Sequence, residues 1–165
     1  MNSTFPQGIP LADRQSASLA RQLLAIVIAS MSAIVANVIY YLLATELLGI
    51  PMVAPEQFPP PELGPIPVSD VVIFSVIFSF GASLVFRIVA NISPRPAQVY
   101  LAISLVVLIL SLFLPFMMPT PPVPMSTKLV LASMHVLGAA VLLPILIAFG
   151  LPSKGKDLME TEHVT

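Results

Sequence analysis

Residues 23–43 read LLAIVIASMSAIVANVIYYLL, an uncharged apolar run in which Asn37 is the only amide side chain. At about 1.5 Å of rise per residue, a helix of this length spans roughly 30 Å, the thickness of the hydrocarbon core of a bilayer. Three comparable runs follow along the chain. The sequence therefore predicts an all-α integral membrane protein, with four transmembrane helices in an antiparallel bundle.

The composition supports the same class. Of the 165 residues, 57% are hydrophobic and 9% are charged, whereas a soluble domain carries about 25% charged residues. The chain has no cysteine and a net charge of −1. These values exclude disulfides and thiolate chemistry, and they give no reason to expect nucleic acid as a partner. The partner that the composition predicts is the lipid bilayer.

The predicted organisation has three parts, with one membrane domain and no soluble domain. A polar N-terminal segment covers residues 1–17, where Pro6 and Pro10 oppose a helix. The membrane domain covers 18–149, and a polar tail covers 150–165. The helices are expected at about 18–48, 71–91, 98–118 and 129–149, with Pro115 bending the last turn of the third.

Two proline-rich loops connect the first helix to the second and the third helix to the fourth. They hold eleven of the 18 prolines. The run Pro59–Pro61 favours polyproline II geometry, so the first loop is expected to be stiff. With four spans, both loops lie on one side of the membrane and both termini on the other.

The distribution of basic residues predicts which side of the membrane is cytoplasmic. Six fall on the terminal side of the bilayer and only Lys128 on the loop side. The positive-inside rule then predicts cytoplasmic termini and two external proline-rich loops. The six are Arg14, Arg21, Arg87, Arg95, Lys154 and Lys156. The predicted interfacial anchors are Arg21, Arg87, Tyr40, Tyr41 and Tyr100.

Each helix contributes one polar side chain to a layer predicted at roughly 9–12 Å from the outer face. The four residues are Asn37, Ser79, Ser111 and His135. Such groups often bond across helices to fix packing and register. Intramembrane ionisable residues also mark ligand or proton sites, and His135 is the only member of the layer that titrates near neutral pH. Both interpretations remain open at this stage.

The sequence contains no nucleophile elbow, no HExxH motif, no phosphate-binding glycine loop and no paired intramembrane aspartates. We therefore expect no enzyme, no catalytic residue, no metal site and no cofactor. Haem at His135 is a weak alternative, because one histidine cannot provide two axial ligands unless copies of the chain associate.

Four short patterns carry a resemblance to a known family. They are Asn37 within a helix of small residues, Ser93–Pro96, Leu110–Ser111 followed by Pro115, and Met134–His135. Together they resemble an uncharacterised family of small bacterial proteins with four transmembrane helices, over about Arg21 to Phe149. The resemblance implies four spans in a bacterial inner (plasma) membrane, and it implies no activity.

Two functions follow from these observations. The first is a non-enzymatic accessory or assembly subunit of a larger membrane complex, which docks through its small-residue faces and its external loops. The second is a small transporter or channel-like oligomer that works through the polar layer. Their partners would be other membrane subunits and further copies of the chain, respectively.

Overall fold

The computed structural model describes residues 11–55, 62–118 and 122–151, with the backbone alone for 11–18. It contains four long helices: α1 (Leu11–Leu42), α2 (Val68–Ile92), α3 (Pro96–Phe113) and α4 (Met125–Gly150). A π-helical turn, Leu43–Leu47, continues α1, and a 3₁₀ turn, Leu114–Met117, continues α3. Each helix is long and apolar enough to cross a membrane, so the chain is a multi-pass membrane protein.

The helices form an antiparallel bundle. Helix α1 packs most extensively against α4 and then α2, while α3 packs against the same two helices from the other side. We call the end that holds the α1–α2 and α3–α4 connections the cap end. The end that holds the short α2–α3 turn, Ser93–Arg95, is the turn end. The predicted fold class is confirmed as a helical membrane bundle.

The helix bounds differ from the predicted ones, mainly at the starts. Helix α1 begins at Leu11, seven residues before the predicted Ser18. A proline is tolerated before or in the first turn of a helix, where its missing N–H has no intrahelical partner, so Pro6 and Pro10 do not prevent this start. Helix α4 begins at Met125, four residues early, directly after Pro124. Residues 1–10 and 152–165, which include Lys154 and Lys156, lie outside the described residues.

The ends of α1 and α3 depart from regular α-helix at the cap end. The π turn after α1 is followed two residues later by Gly49, whose φ of 62° lies in the left-handed region that glycine adopts without strain. Pro115 lies in the 3₁₀ turn after α3. Proline has no N–H to donate to the preceding turn, so the α-helical ladder stops there.

Small residues line the buried side of α1. Ala25, Ala29 and Ala33 are each almost fully buried, together with Leu142 and Leu146 of α4. Small side chains let helix backbones approach closely in lipid, where burial of apolar surface gives no driving force. The predicted small-residue face is therefore used inside the chain, between its own helices.

A short β-ribbon covers the cap end, and we call the described residues of this connection, 48–55 and 62–67, the cap. Strand β1 (Val53–Pro55) pairs with β2 (Leu63–Pro65) in antiparallel register. Pro55 and Pro65 occupy ladder positions whose N–H would point away from the partner strand, so neither removes a hydrogen bond. The polyproline II prediction does not describe these strands, and its central run, Pro59–Pro61, lies outside the described residues.

Candidate functional site: a polar core and a tethered cap

Asn37 lies at a junction of three helices. Its side chain is 9% exposed, and its Nδ2 donates a hydrogen bond to Ser75 Oγ of α2 at 3.1 Å. From α4, Gly138 faces the same amide, because a Cβ built there would lie 3.4 Å from Nδ2. The glycine lets the α4 backbone touch the amide. Asn37 therefore links α1 to α2 by a hydrogen bond and to α4 by packing.

The other amide atom, Asn37 Oδ1, is buried and accepts no hydrogen bond. A buried acceptor without a donor costs roughly 1–3 kcal/mol. This cost is one that lipid cannot relieve, since lipid tails offer no donor. The atom is therefore the point of the predicted layer with the greatest capacity to bind a further group.

The remaining residues of the predicted layer do not meet Asn37. Ser79 is buried on the same face of α2 as Ser75, but one turn further from the cap end, about 6 Å away along the axis. His135 precedes Gly138 by three residues, so it lies nearly one turn closer to the cap end. The helix register thus spreads the layer over about two turns.

Ser111 and His135 form their hydrogen bonds within their own helices. Ser111 Oγ donates to the Leu108 carbonyl at 2.8 Å. His135 is half-buried, and its Nδ1 lies 2.7 Å from the Leu131 carbonyl oxygen. The imidazole also meets the Phe78 ring of α2 edge to face, with 5.4 Å between ring centroids. Neither residue contributes a polar group to the Asn37 junction.

The three tyrosines among the predicted anchors lie in three different environments. Tyr40 Oη donates to Ser133 Oγ of α4 at 3.1 Å, and Tyr41 Oη donates to the Ile66 carbonyl of the cap at 2.6 Å. Tyr100 is 1% exposed and packs edge to face on Phe86, with ring centroids 5.2 Å apart. The prediction of an interfacial Tyr100 is therefore wrong, because its ring lies in the bundle core.

The other two predicted anchors are arginines. Arg21 on α1 and Arg87 on α2 are exposed near the turn end of the bundle. A long arginine side chain can extend its guanidinium from within a span to the lipid headgroups. Their anchoring role stays a prediction.

The cap is fastened to the helices by hydrogen bonds and by one buried side chain. In addition to the bond from Tyr41, Thr127 Oγ1 of α4 donates to the Pro51 carbonyl at 2.5 Å. The Ile50 N–H donates to the Ala44 carbonyl at 2.9 Å. Met52 is buried in a cluster with Val71 of α2 and Val130 and Met134 of α4. The cap is thus a fixed part of the fold.

Sequence reasoning missed several of these residues. Ser75 carried a signal, since Ser75, Ser79 and Ser83 recur every four residues on α2, but that period does not say which serine faces Asn37. Gly138 and Thr127 carried no signal beyond their residue type. Their roles depend on how far α4 is rotated about its axis.

The donor set restricts the chemistry of the site. Within the described ranges, no three His, Asp or Glu side chains come together as metal ligands. The junction offers one amide oxygen as an acceptor, next to an amide nitrogen that is already bonded. Such a group can bind a hydrogen-bond donor, but it has no partner for proton transfer. The weak haem alternative at His135 stays untested.

Comparisons with known proteins assign a family and no activity. No curated protein and no solved structure matches the chain. Residues 17–149 match the model of a family of unknown function, DUF6069. This range contains the first three spans, the fourth span except Gly150, and the whole cap. The chain therefore belongs to family DUF6069.

Proposed function

We propose that this protein is a non-enzymatic accessory or assembly subunit of a larger membrane complex, and that it docks through the cap. The observation that supports the proposal is the fastening of the cap to α1 and α4 by Tyr41 and Thr127. A fixed surface loses little conformational entropy on binding, so it suits docking.

The small-residue faces do not provide this docking surface. Ala25, Ala29 and Ala33 of α1 are buried, and so are the three serines of the α2 ladder, Ser75, Ser79 and Ser83. Both faces are buried in contacts between the chain's own helices. Docking is therefore assigned to the cap, whose residues lie outside the four spans in the sequence.

We further propose that the turn end is cytoplasmic and that the membrane is a bacterial inner membrane. Arg21, Arg87 and Arg95 are exposed at the turn end, and Lys128 lies at the cap end. Short connections with this bias follow the positive-inside rule. In this orientation the cap is external, and its partner is a membrane protein with an external surface.

The proposal is tested by gentle detergent extraction of the tagged full-length chain at native expression, with native mass spectrometry of everything that co-migrates. Leu63→Arg changes an exposed apolar side chain of the cap, which is 37% exposed. Ile92→Arg is the matched control at the turn end, where the side chain is 76% exposed. We expect a defined set of larger membrane proteins that is lost with Leu63→Arg and retained with Ile92→Arg. A chain that migrates alone, or equal retention by both variants, would refute docking through the cap.

A second candidate function is a small transporter or channel-like oligomer. It is favoured by the unpartnered Asn37 Oδ1 and by the half-buried His135. Asn37→Ala and His135→Ala separate the two functions in proteoliposomes. Loss of ion or solute flux with unchanged thermal stability would favour transport, whereas lower stability without any flux in the parent protein would assign both residues to packing.

A further inference from the structure

Contacts between side chains join all four helices at one level near the turn end. Phe86 of α2 meets Tyr100 of α3, with 5.2 Å between the ring centroids. A Cβ built at Gly150, the last residue of α4, would lie 2.5 Å from Phe86 Cζ and 3.6 Å from the Cβ of Ala25 on α1. We call this the Phe86 level. Positions along the bundle axis at the turn end can be measured from it.

Three exposed arginines lie on the turn-end side of this level. Arg87 is the first residue past the level on α2, about 1.5 Å beyond it. Arg21 precedes Ala25 by one turn, about 6 Å, and Arg95 lies about 7 Å beyond Tyr100 in the same direction. The three residues therefore occupy one narrow zone, carried by α1, α2 and the turn between α2 and α3. We call this zone the arginine belt.

The acids whose side chains the structure describes lie far from the belt. They are Glu46 after α1, Glu62 in the cap and Asp70 in the first turn of α2, all at the cap end. On α2 itself, Asp70 and Arg87 are about 25 Å apart along the axis. The net charge of −1 thus conceals a separation of charge, with these arginines at one end of the bundle and these acids at the other.

Exposed apolar side chains extend past the belt. Leu19 on α1 is 41% exposed and Ile92 on α2 is 76% exposed. Both lie about 9 Å beyond the Phe86 level, further out than the arginines of the same two helices. A soluble anionic partner would leave these apolar side chains in water. The boundary between acyl chains and headgroups accommodates both the apolar side chains and the charges.

We propose that the arginine belt is a binding surface for anionic phospholipid headgroups in the leaflet at the turn end. A guanidinium group is always charged, and its paired N–H donors fit the oxygens of a phosphate. A long arginine side chain reaches the headgroups from a backbone position among apolar groups. An anionic lipid is preferred to a zwitterionic one, because each basic residue near an anionic surface contributes about a fivefold preference.

Spin-labelled lipids measure this preference on the full-length protein in phosphatidylcholine bilayers. Electron paramagnetic resonance resolves the lipids that contact the protein, and it compares phosphatidylglycerol with phosphatidylcholine when both carry the label on an acyl chain. We expect phosphatidylglycerol to be enriched at least about twofold in the contact shell, since the signal averages over both leaflets. Equal association of the two lipids would overturn the proposal.

Neutral variants test whether the belt causes the enrichment. Arg21→Gln, Arg87→Gln and Arg95→Gln should each reduce it, and the triple variant should abolish it. Lys128→Gln at the cap end is the matched control and should leave it unchanged. The three arginines are exposed, so the variants should keep the melting temperature of the parent protein. Enrichment that persists in the triple variant, or that falls equally in the control, would show that the belt is not the binding surface.

Two solution conditions test the parent protein without any substitution. In 1 M salt the Debye length is about 3 Å, so the enrichment should fall. Soluble glycerol phosphate at matched ionic strength should not displace the labelled lipid, because it lacks the acyl chains that the apolar side chains around the belt contact. An enrichment that salt does not change would contradict a surface based on charge. Displacement by glycerol phosphate would mean that the belt binds free phosphate groups, and the lipid assignment would be wrong.

Discussion

Gly150→Ala tests a close approach of α4 to α2. Gly150, the last residue of α4, faces the ring of Phe86 on α2. A Cβ at this position would lie 2.5 and 2.7 Å from Phe86 Cζ and Cε1. Carbon atoms in favourable contact are about 3.5–4.0 Å apart, so the added methyl would overlap the ring by about 1 Å.

The ring has little room to move away. Phe86 is 1% exposed and packs edge to face against Tyr100, so α4 or α2 must shift instead. Overpacking of this kind costs about 1–3 kcal/mol. Alanine also gains roughly 0.5–1 kcal/mol over glycine in a helix. We therefore expect Gly150→Ala to lower the free energy of unfolding by about 1–2 kcal/mol.

Gly81→Ala is the matched control, because a Cβ at Gly81 would meet nothing within 4 Å. The same substitution should there be neutral or stabilising, by up to about 1 kcal/mol. Both variants are compared by thermal or denaturant unfolding in one detergent. Phe86→Leu should partly rescue Gly150→Ala in a double-mutant cycle. Equal effects at the two glycines would refute the close approach of α4 to α2.

Three further substitutions test the junction, the cap and the end of α1. Ser75→Ala removes the acceptor for the buried amide of α1 and should cost about 0.6–2 kcal/mol in unfolding assays, whereas the equally buried Ser79→Ala should cost less. Tyr41→Phe should speed hydrogen exchange of the cap amides, while Tyr40→Phe, whose hydroxyl bonds within the bundle, should leave the cap unchanged; similar exchange in both would contradict the tether. Gly49→Ala forces a side chain into the left-handed region and should destabilise by about 1 kcal/mol, measured by the same unfolding assay.

The four spans could be predicted from the sequence because the length of an apolar run has one dominant structural outcome in lipid. The starts of α1 and α4 could not be predicted in the same way. Hydropathy locates the part of a helix that lies in hydrocarbon, whereas each helix continues past it until its backbone ladder ends. Leu11 and Met125 lie in such extensions.

The polar core was only partly predictable. Residue spacing shows which face of a helix a side chain lies on, but not which side chain of another helix it bonds. Asn37 stood out as the single amide in its run, but its partner is Ser75 rather than Ser79. A rotation or shift of one turn exchanges the two serines without changing the hydrophobic pattern. The prediction that Tyr100 is an interfacial anchor was wrong for a similar reason. A tyrosine at the start of a span suits the interface, and only the position of Phe86 shows that it faces inward.

Helix α3 is attached to the bundle differently from the other helices. Helix α1 bonds to α2 through Asn37 and to α4 through Tyr40. Among the described residues, the side-chain hydrogen bonds of α3 stay within it, as at Ser111. In lipid, where apolar burial gives helices no reason to associate, packing and interhelical hydrogen bonds must hold them together. Helix α3 should therefore be the most weakly held of the four.

Because the chain has no cysteine, pairs of introduced cysteines can carry spin labels against a clean background. Leu110 on α3 and Phe80 on α2 are exposed, as are Met31 on α1 and Val136 on α4, so labels at these positions should not disturb the core. We expect the α2–α3 pair to give a broader distance distribution than the α1–α4 pair in the same bilayers. Equal widths would mean that packing around Tyr100 holds α3 as firmly as direct hydrogen bonds hold α1.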